Sequence, residues 1–139
     1  MAITQAVCTS FKEELLNKEH DLDTDTFKIA LYTEDATLGA GTTAYTTTEE
    51  ISGTGYSAGG ATLTGGVIAT DGTTAFVDFA DPSWAGATFT ARGALIYNSS
   101  NSNKAVCVLD FSDNFTASSE TFSIGFPTAD LSNALIRLL

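Results

Sequence analysis

Residues 55–59 read Gly-Tyr-Ser-Ala-Gly and match the G-x-S-x-G pattern of a nucleophile elbow, with Ser57 in the place of the nucleophile. An elbow needs a strand before it, a helix after it and a histidine base later in the chain. Here a strand pattern follows the motif, and the only histidine, His20, comes before it. Because the order serine, aspartate, histidine cannot be built, we predict a glycine-rich loop without a catalytic role.

Three alternate aspartates, Asp21, Asp23 and Asp25, resemble the opening of an EF-hand calcium loop. That loop needs glycine at its sixth position and glutamate at its twelfth, which here hold Thr26 and Tyr32. A strand pattern also replaces the helix that should follow. We therefore interpret the segment as a solvated turn, with a weak, exposed Ca²⁺ contact as the alternative.

The two cysteines, Cys8 and Cys107, together with His20, are too few and too scattered for a tetrahedral zinc site. A secreted disulfide scaffold would carry cysteines at higher density. We predict that both are buried free thiols, and a disulfide between them is the less favoured alternative.

The remaining candidates for chemistry are carboxylates and aromatic rings. Glu49 and Glu50 are adjacent, so in an extended chain they point to opposite faces and cannot act as an acid/base pair. We predict that both belong to the polar surface. Tyr45, Tyr56 and Trp84 could form a sugar-binding platform, but tyrosines in loops also pack loops or lie in protein interfaces. Because no catalytic group assembles, we predict that the chain is not an enzyme.

Charge narrows the choice of partner. The 139 residues carry a net charge of −11 with only six lysines and arginines, which are scattered. A nucleic-acid site needs a basic patch, and anionic membranes also attract basic proteins, so we predict neither partner. The chain has no apolar run of the ~18 residues that span a membrane and no signal-peptide pattern. We expect one domain over residues 1–139, made in a cytoplasm.

One helix is predicted, over residues 4–18. Val7, Phe11 and Leu15 recur at every fourth position with Leu16 beside them, which gives one apolar stripe. Thr4 can cap its first turn, and the polar residues 17–25 end it.

The rest of the chain is typical of short strands. Residues 94–97 and 105–109 are apolar runs joined by an Asn/Ser-rich turn, which predicts a central hairpin buried on both faces. Gly65 and Gly66 predict a bend or bulge, and Asp71–Gly72 predicts a tight hairpin turn. Further strands are expected over residues 27–32, 42–48, 61–70, 73–79, 121–126 and 134–138. Residues 81–84 and 112–119 are predicted to be a turn and a polar loop. This spacing favours an all-β sandwich or barrel of about eight strands, with jelly-roll and immunoglobulin-like orders both open.

Several segments together resemble a family of small structural proteins from tailed phages, most closely their capsid cement, or head decoration, proteins. They cover nearly the whole chain: residues 2–16, 25–32, 53–60, 74–84, 91–98 and 132–137. The resemblance implies a jelly-roll-like β-sandwich with one N-terminal helix. It also implies copies on the outer face of a capsid in the virion, which bind the major capsid protein and bridge its subunits. A homo-oligomer, with a dimer favoured, and no cofactor would follow.

Such a role predicts an apolar contact surface. Our candidates are Phe11, Leu15 and Leu16 on the helix, and Tyr45 and Tyr56 in the loops. The alternative for the helix is that it closes one end of its own barrel. The alternatives for function are another virion part, from a tail, neck or baseplate, and a carbohydrate-binding module.

Overall fold

The fold is all-β, as the sequence predicts. The computed structural model describes residues 2–127 and 132–138, which form two antiparallel sheets and one short helix. The elements are β1 (Ala6–Val7), α1 (Thr9–Leu16), β2 (Phe27–Tyr32), β3 (Ala61–Thr62), β4 (Val67–Asp71), β5 (Thr74–Asp78), β6 (Ser83–Asn98), β7 (Lys104–Ser123) and β8 (Ile136–Leu138). The larger sheet has the order β1-β7-β6-β2-β3 and the smaller β4-β5-β8. The jelly-roll order within this class stays a prediction.

The predicted central hairpin is confirmed and lies in the middle of the larger sheet. Leu95 pairs with Val108 and Ile96 with Cys107, while β2 pairs with the other side of β6. Every residue from 94 to 98 and from 105 to 108 is buried, so both faces of these segments are covered. Continuous apolar runs are expected where a strand has no face to water.

The hairpin is longer than predicted. β6 begins at Ser83, where a turn is expected, and β7 runs through residues 112–119, where a polar loop is expected. In this outer half one face is open to water, so Ser and Thr can alternate with the inward-facing residues. Thr90 and Thr116, for example, lie opposite each other with their hydroxyls 2.7 Å apart. Register shifts, one of them between Ala91 and Gly93, separate the two halves.

The helix is shorter than predicted, because tertiary pairing takes the residues before it. Ala6 and Val7 pair with β7, and Cys8 rather than Thr4 is the residue at the N-cap. The helix ends at Leu16, two residues earlier than predicted, where the polar stretch begins. Lys18 adopts a left-handed φ of 64°, and its N–H donates to the carbonyl of Leu15. With the Glu19 N–H donating to Glu14, this is a Schellman ending.

The glycine predictions hold with small changes. The break at Gly65 and Gly66 separates β3, in the larger sheet, from β4, in the smaller. The hairpin turn lies one residue later than predicted, because Asp71 pairs with Thr74 around Gly72 and Thr73. The predicted strand over residues 42–48 is wrong: within it the structure has one isolated bridge, from Ala44 to Lys104. The last strand, β8, begins two residues later than predicted.

Gly60 fixes how closely the chain before β3 approaches β2. It has a φ of +81°, and a Cβ there would lie 1.8 Å from the Ile29 carbonyl oxygen.

We expect Gly60→Ala to lower the free energy of unfolding by about 3 kcal/mol or more, because the strain of a left-handed φ and a backbone clash add together. Urea unfolding would measure this. Gly41→Ala is the matched control, since a Cβ added there would meet no atom within 4 Å. Equal stability of the two variants would contradict the prediction.

Candidate functional site

The carboxylate of Glu50 is the centre of a hydrogen-bonded cluster beside β2. Its Oε1 accepts the hydroxyl of Tyr45 at 2.6 Å, and its Oε2 accepts the hydroxyl of Tyr56 at 2.5 Å. The backbone N–H of Gly59 donates to the same Oε2 at 2.8 Å. A half-buried carboxylate needs such donors, because removing it from water without them would be costly.

The chain has four tyrosines, and all four lie around Glu50. The Tyr97 hydroxyl donates to the Gly59 carbonyl at 2.7 Å, and the Tyr32 hydroxyl donates to the Thr46 carbonyl at 2.7 Å. The Tyr45 ring stacks on the Tyr97 ring at 4.7 Å. Together these contacts hold residues 45–59 against β2 and β6, although this stretch contains no strand of its own.

Glu49 and Glu50 bind different groups and differ in exposure. Glu49 is exposed, has a left-handed φ of 60° and accepts the Thr33 hydroxyl at 2.9 Å. The Ile51 N–H donates to the Leu31 carbonyl, which anchors the next residue to β2. The prediction that Glu50 belongs to the exposed surface is wrong, because the phenol hydroxyls that bind it come together only in the folded chain.

The environment keeps the tyrosines neutral. Burial, and then the nearby Glu50 carboxylate, raise the pKa of Tyr97 to about 12. Burial and hydrogen bonds to Glu50 raise the pKa values of Tyr45 and Tyr56 well above the ordinary range. Neutral phenols donate hydrogen bonds to the carboxylate, and these bonds hold the loop in place.

The two motifs with a possible nucleophile or base do not assemble. Ser57 is exposed in the loop above the Glu50 cluster. His20 is buried elsewhere: its Nε2 lies 3.0 Å from Glu14 Oε1, and its Nδ1 lies 3.0 Å from the side-chain nitrogen of Asn98. Both ring nitrogens are therefore engaged, and His20 joins the end of α1 to the central hairpin.

The three alternate aspartates form a turn that binds its own backbone. Asp21 Oδ1 accepts the N–H groups of Asp23 and Thr24 at 3.0 and 3.2 Å, and hydrogen bonds from Thr24 and Asp23 lower the pKa of Asp21. Asp25 Oδ2 accepts the Asp21 N–H and an Asn98 N–H. Among the described residues, no group of three or more His, Cys, Asp or Glu side chains could hold a metal ion.

Both cysteines are buried free thiols, as predicted. Val7 pairs with Cys107, and the Cys8 N–H donates to the Val106 carbonyl, so the two cysteines lie at neighbouring positions and are not paired with each other. Burial raises the pKa of Cys8 to about 11 and that of Cys107 to about 12. Protonated thiols are poor nucleophiles, so neither has the environment of a reactive cysteine.

The five predicted contact residues divide by exposure. Phe11 is 1% exposed and Leu15 is half-buried against the core, which agrees with the alternative that the helix closes its own fold. Leu16 is 87% exposed. Tyr45 and Tyr56 are half-buried and bind Glu50, so they do not present free hydroxyls.

Trp84 lies in β6 and is 6% exposed. Its ring and the Tyr56 ring pack against each other with their centroids 6.3 Å apart. A sugar platform needs rings that face water, whereas Trp84 is buried and the two loop tyrosines are half-buried. The geometry therefore does not favour the carbohydrate-binding alternative.

An aromatic row on the outer hairpin is the feature that sequence reasoning missed. It runs from Trp84 and Phe89 through Phe122 and Phe111 to Phe115, with successive centroids 5.1 to 6.4 Å apart. Phe115, at its end, is 52% exposed. The sequence signal was the phenylalanines at 111, 115 and 122 within a Ser/Thr-rich stretch that resembles a loop.

Comparison with known proteins gives no relative: no family model, curated protein or solved structure matches the chain. No helix in the described part of the chain is long and apolar enough to cross a membrane.

Replacing the central carboxylate should loosen the loops. We expect Glu50→Gln to lower the free energy of unfolding by about 1–3 kcal/mol, because the amide nitrogen cannot accept the bonds that Oε1 or Oε2 accepts now. Urea unfolding followed by tyrosine fluorescence would measure it. Glu49→Gln is the control, and should change stability by less than about 0.5 kcal/mol because the residue is exposed. A larger loss for Glu49→Gln than for Glu50→Gln would refute the assignment.

Alkaline pH should destabilise the fold through the same tyrosines. The pKa values of these tyrosines are raised in the folded state, so the protonated phenols contribute stability that is fully present below pH 10.0, the ordinary tyrosine pKa. For Tyr97, this stability is lost as the pH rises to about 12. We expect the free energy of unfolding to fall across that window, measured by urea unfolding at a series of pH values. Tyr97→Phe should make this fall in stability shallower, since one fewer proton is released when the chain unfolds. An unchanged slope would contradict the role of Tyr97.

Proposed function

We propose that this protein is a structural, non-enzymatic component of a tailed-phage virion, a capsid cement protein. It binds the outer face of the assembled shell and bridges neighbouring copies of the major capsid protein, with a dimer as the favoured form. The first support is the resemblance of segments along nearly the whole chain. Residues 25–32 and 91–98 of that resemblance contain β2 and the inner half of β6, and residues 53–60 form the loop over Glu50.

The observation that carries the proposal is how the polar side chains are used. Glu50, His20 and Asp21, the groups with most potential for chemistry, all bind other parts of the same chain. What the surface offers instead is an acidic exterior and the open end of the aromatic row. This is the character of a binding module with a preorganised framework.

Its charge suits the outside of a particle filled with nucleic acid. With a net charge of −11, the protein does not compete for packaged DNA. A ligand that binds only the assembled shell stabilises that state by mass action. The proposal therefore needs no catalytic step, only a contact that forms on the closed shell.

Cryo-electron microscopy of particles made with and without this protein tests the proposal. We expect ordered extra density on the outer shell, across the junctions between capsomers and at icosahedral copy number. Density confined to the tail or neck, or a copy number in the tens or fewer, would replace the cement role with another virion role. The absence of density anywhere on the particle would overturn the structural role.

A further inference from the structure

Among the described residues, no strand lies beside one edge of β7 along its outer half. On one side, residues 115–123 of β7 pair with β6. On the other side, β1 reaches only Cys107 and Val108. In the described chain, no further strand covers this edge. A long unpaired edge presents backbone donors and acceptors that an added strand can use.

The register identifies the groups on that edge. The Thr88 N–H donates to the Thr54 carbonyl at 2.9 Å, so it points away from β7. Opposed residues in an antiparallel pair alternate between those that exchange hydrogen bonds and those that do not. Ser118, opposite Thr88, therefore directs its N–H and C=O away from β6, where the N–H makes a long contact of 3.4 Å with Glu120 Oε1 that an added strand would replace. Thr116, opposite Thr90 in the same unbroken register, does likewise.

A groove beside this edge can take apolar side chains. Its open space measures about 480 Å³. Its apolar lining residues include Phe111, Phe115, Ala117, Phe122 and Ile124. Phe115 keeps half its surface in water, although its ring contacts Phe111 at a centroid distance of 6.3 Å. An exposed aromatic ring at a groove rim gains free energy when a partner covers it.

Charge selects the kind of partner. The same part of β7 carries three carboxylates, those of Asp110, Asp113 and Glu120. Arg92 already pairs with Asp110 at 3.4 Å. A segment with lysine or arginine would complement this edge. A second copy of the chain would bring the same three carboxylates to the interface, which disfavours self-pairing.

We propose that the outer edge of β7 binds an extended segment of another polypeptide by strand addition. The segment alternates apolar side chains, which enter the groove, with basic ones, which meet the carboxylates. Its backbone pairs with Thr116 and Ser118. This inference goes beyond the proposed virion role, because it names a surface and a chemistry that purified protein can test without particles.

The test is titration of the full chain with a blocked synthetic peptide of alternating valine and lysine, followed by calorimetry and amide NMR. We expect saturable binding, with shifts centred on Thr116 and Ser118, and no binding of the matched valine–glutamate peptide. Thr116→Pro should weaken binding by about tenfold or more, which corresponds to ~1.4 kcal/mol, because it removes an edge donor. Thr90→Pro is the matched control: it loses the same hydroxyl contact but lies on the opposite edge. It should bind as the parent does.

A peptide N-methylated at alternate residues tests the same point on the unmodified protein, should a proline variant fail to fold. Methylation on the pairing side should abolish binding, because strand addition needs those N–H groups. No saturable binding of the valine–lysine peptide, or binding that tolerates methylation on either side, would overturn the proposal. Sedimentation that shows self-association lost in Thr116→Pro would assign the edge to a second copy, and would overturn the heterologous partner.

Discussion

The antiparallel pairing of β6 with β7 is the constraint on which the rest of the structure depends. Its inner half places two fully buried segments between β1 and β2, so the larger sheet exists only when this pairing is in register. Its outer half presents one face to water and carries the aromatic row on the other. The same two strands therefore provide the centre of the core and the most exposed apolar surface of the hairpin, with the bulge near Ala91 marking the change.

The hydrogen bonds to Glu50 hold the loop of residues 45–59 in place, as apolar packing holds the sheet. Residues 45–59 contain no strand, yet phenol hydroxyls and one backbone N–H converge on a single carboxylate. A half-buried carboxylate is costly when it lacks donors, so the loop arrangement that supplies them is favoured. Gly60 supports this arrangement from the backbone, since its missing side chain allows the close approach to Ile29. A rigid loop region of this kind suits a module that binds through a preformed surface.

The sequence pattern correctly predicted those elements that depend on interactions between residues close together in the chain. The apolar runs at residues 94–97 and 105–109 specify buried strands wherever they pair, and Gly72 needs its left-handed φ in any hairpin. The start of α1 was not predictable, because Val7 fits a helical stripe equally well and only pairing with Cys107 makes it extended. Residues 112–119 resemble a loop until β6 lies beside them. At the site, Glu50 could not be recognised, because its partners meet only in three dimensions.

The position of β1 has a consequence for how the molecule reaches this state. Ala6 pairs with Val108, and His20 contacts Asn98, so these segments find their partners far along the sequence. During synthesis they must wait, with Phe11 uncovered, until β6 and β7 have left the ribosome. Such non-local closure slows folding and prolongs the exposure of apolar surface. The high net negative charge repels such nascent chains from one another while this surface is uncovered.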